Sequence, residues 1–116
     1  MPLVIRQRNV SDVVILDLTG RLWILDLPLR DMITRLLSEG QRHFVLHVSG
    51  VDYIDSSGLG QLITIWTSVR NKGGFMTVLN PTKRVRRLLE ITRLTTVFQI
   101  VEKESEAIEL VRKASA

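Results

Sequence analysis

Asp55, Ser56 and Ser57 place a carboxylate and two hydroxyls side by side in the stretch IDSSGLGQLITIW, residues 54–66, with Gly58 and Gly60 close behind. Four chemistries suit these residue types. A serine can be a nucleophile, but the nucleophile elbow wants a glycine two residues before the serine and a histidine later in the chain. Here Ile54 and Asp55 hold the preceding positions, and both histidines, His43 and His47, come earlier. A phosphate cradle wants a longer glycine pattern or a following lysine, and SGLGQL offers two glycines and no lysine. A helix cap fits well: Asp55 or Ser56 can accept from the free N–H groups of a first helical turn, worth about 1 kcal/mol. A phosphoacceptor fits too. A phosphate on a first-turn serine sits in the positive end of the helix dipole and adds about −1.5 to −2 charge at neutral pH. The helix tolerates that charge, whereas a partner covering the surface is repelled. The result would be a binding switch, with the chemistry supplied by a separate kinase.

His43 and His47 lie four apart on a strand-like run, so they share a face at a separation of roughly 13 Å. One zinc ion cannot bridge that gap, and no metal site is expected. The chain has no cysteine, which excludes disulfides and thiolate chemistry and suits a reducing compartment.

The elements that must position the serines read as follows. Residues 3–8 suggest a short edge strand, and a polar turn at Asn9 to Asp12 leads into DVVILDLTG, a second strand ended by Gly20. The two form a hairpin. From Asp26 the period becomes helical through Leu29, Met32, Ile33, Leu36 and Leu37, with Asp26 as N-cap, Pro28 in the first turn and Gly40 as the stop. RHFVLHVSG is a strand with Phe44, Leu46 and Val48 on one face and His43, Val45 and His47 on the other. The serine motif opens a helix to about Asn71 with a stripe of Leu59, Leu62, Ile63, Trp66 and Val69. FMTVLN is a strand. Pro81 opens a basic helix over 82–91, with Val85, Leu88 and Leu89 inward. TVFQIV is a last strand, and a helix over about 104–114 buries Ala107, Ile108, Leu110, Val111 and Ala114. The order β-β-α-β-α-β-α-β-α predicts right-handed crossovers in a mixed, mostly parallel sheet. Ligands and partners gather where such strands give way to helices, and the serine motif lies at such a junction.

The 116 residues, 45% of them hydrophobic, suit one domain, 1–116, with a real core. Sixteen basic residues against twelve acidic ones give a net charge of +4, which permits an acidic partner without demanding one. MPLVIRQRNV does not read as a signal peptide, and no apolar run approaches the roughly 20 residues of a membrane span. The expected location is the cytoplasm.

VDYIDSSGLGQLI, preceded by FVLHV and followed by KGGFMTVLNPTKRVRRLLEITRL, resembles the STAS domain family, specifically the bacterial anti-sigma factor antagonists. LTGRL, after the second strand, fits that family's LxGxL pattern. The resemblance spans nearly the whole chain. It implies a STAS-like α/β fold of about five strands packed by about four helices, and a non-enzymatic module that works by partner switching. The unphosphorylated antagonist binds an anti-sigma factor that is also a serine kinase, which frees a sigma factor. The kinase then phosphorylates the antagonist, and a phosphoserine phosphatase resets it. ATP belongs to the kinase, so this chain needs no cofactor. The acceptor implied is Ser57, with Ser56 as runner-up. Asp55 would organise the loop, Ser56 would cap or contact the partner, and Gly58, Leu59, Arg21 and Trp23 complete the implied partner-binding set.

Two stretches depart from the family's pattern. LWILDLP, with Leu22, Trp23, Ile24, Leu25 and Leu27, replaces a polar stretch, and Arg21 replaces an acidic residue. The apolar residues fold under the first helix, or residues 22–27 form a partner or self-association surface. The basic helix carries Lys83, Arg84, Arg86 and Arg87, with Arg93 beyond it, against Glu90 alone. It is a solvated face or meets an acidic partner, and direct nucleic-acid binding is not expected without interleaved aromatics. The alternative function is that of a STAS scaffold or adaptor in a larger signalling or membrane-transport complex.

Overall fold

The computed structural model describes residues 2–23 and 28–114. The chain runs β1 (Val4–Val10), β2 (Val13–Leu22), α1 (Pro28–Ser38), β3 (His43–Ile54), α2 (Ser56–Asn71), β4 (Phe75–Leu79), α3 (Lys83–Ile91), a 3-10 turn (Leu94–Thr96), β5 (Gln99–Val101) and α4 (Glu104–Ala114). One five-stranded sheet has the order β1-β2-β3-β4-β5. β1 is antiparallel to β2, and the later pairs are parallel. This is the mixed, mostly parallel sheet that the alternation of strands and helices predicts.

Sequential strands advance across the sheet in one direction. Crossovers of one hand then place α1, α2 and α3 on the same face. Their apolar sides (Leu29 and Ile33, Leu59 and Leu62, Val85 and Leu89) join Val14, Leu16, Leu18, Phe44 and Leu46 in the main core. Among the described residues only α4 covers the other face, where Ala107 and Val111 pack on Val13, Ile15, Val45 and Leu79. The two-sided burial explains why VVIL is unbroken apolar sequence. α4 is too short to cover the whole face, so β2 and β3 become polar there from Asp17 and His47 onward.

Four expectations need correction. Gly20 does not end β2. It sits at φ 108° inside the strand, next to an irregularity in the β2–β3 register, and pairing resumes with Arg21 opposite Tyr53 and Leu22 opposite Ile54. Such a bulge re-aims the residues beyond it. In α2 the inward residue is Ile65, 1% exposed, rather than Ile63, 39% exposed; with the next turn anchored by Leu62 and Val69, Ile63 falls on the outer edge of the stripe. TVFQIV is a strand only from Gln99, because the 3-10 turn precedes it and Phe98 turns fully inward, with its ring edge-on to Trp66 at 6.5 Å. In α4 only Ala107 and Val111 are fully buried, while Ile108 and Leu110 are half-buried and Ala114 is exposed; a helix resting on one sheet face buries a narrow stripe. The proposed Asp26 cap, with Ile24, Leu25 and Leu27, lies outside the described residues. Pro28 does open α1, and Gly40, at φ 96°, follows its end.

Candidate functional site

The serine motif falls where β3 gives way to α2. Asp55 is the N-cap, and its Oδ1 accepts from the Gly58 N–H at 2.8 Å. Ser56 and Ser57 are therefore the first two helical residues, where backbone N–H groups lack intrahelical partners. Of the two sequence candidates for the cap, Asp55 takes the role. Ser56 is exposed and Ser57 half-buried.

The end of β2 lies directly on this first turn. A β-carbon on Gly58 would come within 2.1 Å of the Leu22 carbonyl oxygen. One turn on, the Gln61 side-chain amide donates to the Trp23 carbonyl at 2.8 Å. These contacts bring Arg21 and Trp23, far apart from the serines in sequence, to the helix start. The Arg21 guanidinium lies 5.9 Å from the Trp23 ring centre and 5.7 Å from that of Tyr53. A cation between two aromatic faces is held in place by their quadrupoles. Gly58 and Leu59 are buried and shape the site from beneath. Leu22 is 0% exposed and part of the main core, so it is not available for self-association. Tyr53 is the residue that sequence reasoning missed here; its pairing with Arg21 follows from the register shift that skips Asp52 on β3.

The outer face of α2 continues the site. Gly60, Ile63, Thr64 and Thr67 are exposed, and no charged residue occurs in the helix before Arg70. The hydroxyls of Thr64 and Thr67 donate to the carbonyls of Gly60 and Ile63, each at 2.9 Å. Hydroxyls turned back onto the helix leave their methyls outward. Among the described residues a β-carbon at Gly60 would meet nothing within 4 Å, so none of them requires glycine there. The surface is uncharged, shallow and cheap to desolvate.

No group of three potential metal ligands occurs among the described residues. His47 Nδ1 lies 2.8 Å from Asp17 Oδ1, and its Nε2 lies 2.8 Å from Ser49 Oγ. Arg8 donates to both Asp17 oxygens, at 2.7 and 3.0 Å, and reaches Glu104 at 2.6 Å. The Arg8 guanidinium holds the Asp17 carboxyl below the usual carboxylate range, against the opposing effect of burial, and His47 adds to the lowering. The order Asp–His–Ser is that of an activated nucleophile, but Ser49 stands exposed on an open strand face rather than in a cleft. The network cross-links β1, β2, β3 and α4. Elsewhere His43 lies 3.5 Å from Asp12. On α3, Arg86 is paired with Glu102.

Fold and site together define a small mixed-sheet α/β module that presents an uncharged helix start beside a cation–aromatic cluster. The family model of the STAS domain matches residues 5–107, and the chain belongs to that family. It is 32% identical over 113 residues to the anti-sigma F factor antagonist of Paenibacillus polymyxa, covering 93% of this chain and 94% of that one. Its structure resembles the crystal structure of the Thermotoga maritima protein TM1081, with a TM-score of 0.84, 34% identity, and coverage of 93% and 94%. It also shares the fold of the Bacillus cell fate determinant SpoIIAA, solved in a phosphorylated form, with a TM-score of 0.72, 22% identity, and coverage of 94% and 100%. Among the described residues no helix is long and apolar enough to cross a membrane.

Proposed function

We propose that this chain is an anti-sigma factor antagonist, a binding module rather than an enzyme, switched by phosphorylation of Ser57. The observation that carries the reading is the position of Ser57. It is the second residue of a helix already capped by Asp55, half-exposed, and borders the uncharged face of α2. A phosphate there leaves the cap and the core alone, because the helix dipole accommodates it. It also places charge on a surface that a partner must desolvate, and uncompensated charge in an interface is costly. Affinity therefore falls while the fold persists. The partner is an anti-sigma factor with serine-kinase activity, ATP is that partner's cofactor, and a phosphoserine phosphatase restores binding. The work takes place in the cytoplasm, where sigma factors act.

Gly60 supports the same reading. Glycine inside a helix costs roughly 0.5–1 kcal/mol relative to alanine, and no neighbour among the described residues accounts for it. A partner backbone approaching closely at this point would. Arg21, Trp23 and Tyr53 form the second wall of the proposed interface, with Asp55 and Ser56 at its edge.

The test uses the anti-sigma kinase of the same organism with ATP. Intact-mass measurement should show one added phosphate on the wild type and none on Ser57→Ala. Ser57→Ala should bind the kinase as the unmodified protein does, and Ser57→Asp should bind at least about tenfold more weakly, which is about 1.4 kcal/mol, with an unchanged melting temperature. Equal affinities for the two variants, or a phosphate on Ser56 instead, would overturn the assignment.

A further inference from the structure

A cavity of about 120 Å³ lies at the opposite end of α2 from Ser57, among the last turns of α2 and α4 and the start of β4. It arises because β5 is only three residues long and pairs with β4 from Thr77 onward, which leaves Phe75 and Met76 without a neighbouring strand on that side. Trp66, Phe75 and Val111 supply apolar walls, and Arg70, Thr77 and Gln99 supply the polar groups.

Two observations set this cavity apart. Thr77 is 1% exposed, and its hydroxyl has no hydrogen-bond partner among the described residues. A buried hydroxyl without a partner is destabilising, and native structures seldom keep one without a reason. Arg70 is the second. Its guanidinium lies 4.5 Å from the Phe75 ring centre and 5.8 Å from that of Trp66, and among the described residues no acidic side chain lines the cavity. Among the described residues Arg70 is thus a cation held by two aromatic rings with no carboxylate lining its cavity.

We propose that this cavity binds a small monocarboxylic acid with an apolar body. The carboxylate pairs with the Arg70 guanidinium at the rim. The apolar part packs against Trp66, Phe75 and Val111, and the second carboxylate oxygen accepts from the Thr77 hydroxyl and the Gln99 amide. At about 120 Å³ the cavity is smaller than the roughly 150 Å³ that holds one benzene, so benzoate is the upper size limit and part of its ring stays at the open rim. The carbonyl ends of α2 and α4 oppose an anion with about half a charge each, and a full guanidinium charge in direct contact outweighs them. The site uses none of the residues assigned to partner switching, so it stands or falls independently of that reading.

The test is a titration of the ¹⁵N-labelled full chain with sodium benzoate, followed by NMR, with benzamide as the neutral comparator. Saturable shifts are expected at the Thr77 and Gln99 amides and the Trp66 indole. Arg70→Gln should weaken benzoate by about tenfold, the loss of a charge-assisted pair, and leave benzamide unaffected. Thr77→Val, which replaces the unpartnered hydroxyl by a methyl of the same shape, should weaken both ligands and raise the melting temperature of the free protein. Arg70 is exposed, so its variant keeps the test open even if Thr77→Val folds poorly. Absence of saturable shifts at low-millimolar benzoate, equal binding of benzamide and benzoate, or an Arg70→Gln variant that binds normally would each overturn the proposal. An ordered water on Thr77 as the only occupant would overturn it as well.

Discussion

The Leu22 carbonyl oxygen sits where a side chain on Gly58 would have to be, 2.1 Å from the β-carbon position. This contact between backbones joins the end of β2 to the first turn of α2, and the Gln61 bond to the Trp23 carbonyl extends the join by one turn. Any β-carbon at position 58 must push the two elements apart, and backbone cannot rotate away as a side chain can. Gly58→Ala should therefore lose about 1–3 kcal/mol of stability, the usual range for overpacking, measured by urea denaturation. Trp23 fluorescence should also change, because its carbonyl is held by Gln61 on the same helix.

Gly60, two residues on, should respond in the opposite sense. Its β-carbon position is open, so Gly60→Ala removes the helix penalty of glycine and should stabilise the fold by about 0.5–1 kcal/mol. If a partner backbone approaches here, the same substitution should weaken partner binding. A stabilised variant with undiminished affinity would place the interface elsewhere on α2.

Asp55 caps the helix through one charge-assisted bond to the Gly58 N–H. Asp55→Ala should cost about 1 kcal/mol by chemical denaturation. Asp55→Ser should recover most of it, since a serine oxygen can accept from the same N–H. If Asp55 also contacts the partner, Asp55→Ser should remain weaker in binding despite its recovered stability.

Much of this was legible in the sequence. Alternating strand and helix periods predicted the order of elements and the mostly parallel sheet, because buried parallel strands and amphipathic crossover helices have different repeats. Position of the serines at a strand–helix junction followed from the same pattern. What escaped the pattern depends on contacts distant in sequence. Gly20 reads as a stop, yet β2 runs through it, and only the β2–β3 register, which skips Asp52, shows that Arg21 meets Tyr53. Ile63 and Ile65 are equally apolar, and the choice between them is made by the rotation of α2 on the sheet. The Asp17–His47 pair joins strands thirty residues apart and has no local signature.

That pair leads to a pH dependence. The Asp17 carboxyl is held below its ordinary value by the Arg8 guanidinium first and by His47 second. A folded-state value below the unfolded one, about 3.9, means the unfolded chain binds more protons in between, so stability rises with pH across that window. The contribution is fully present above about pH 4 and is lost as the pH falls through the folded value. Asp17→Asn removes the charge but keeps one acceptor oxygen. At neutral pH it should cost about 1–2 kcal/mol, the worth of hydrogen bonds to a charged group reduced for partial exposure. In acid the variant and wild type should converge, because wild-type Asp17 is then also neutral. Asp12, lowered by a bond to its own backbone N–H and by Arg112, titrates in both proteins and cancels in the difference. Urea melts from pH 7 down to pH 2 measure that difference directly. A gap that stays constant across the range would show that Asp17 acts through its shape and hydrogen bonding alone, and that its charge adds nothing to the link between β1, β2, β3 and α4.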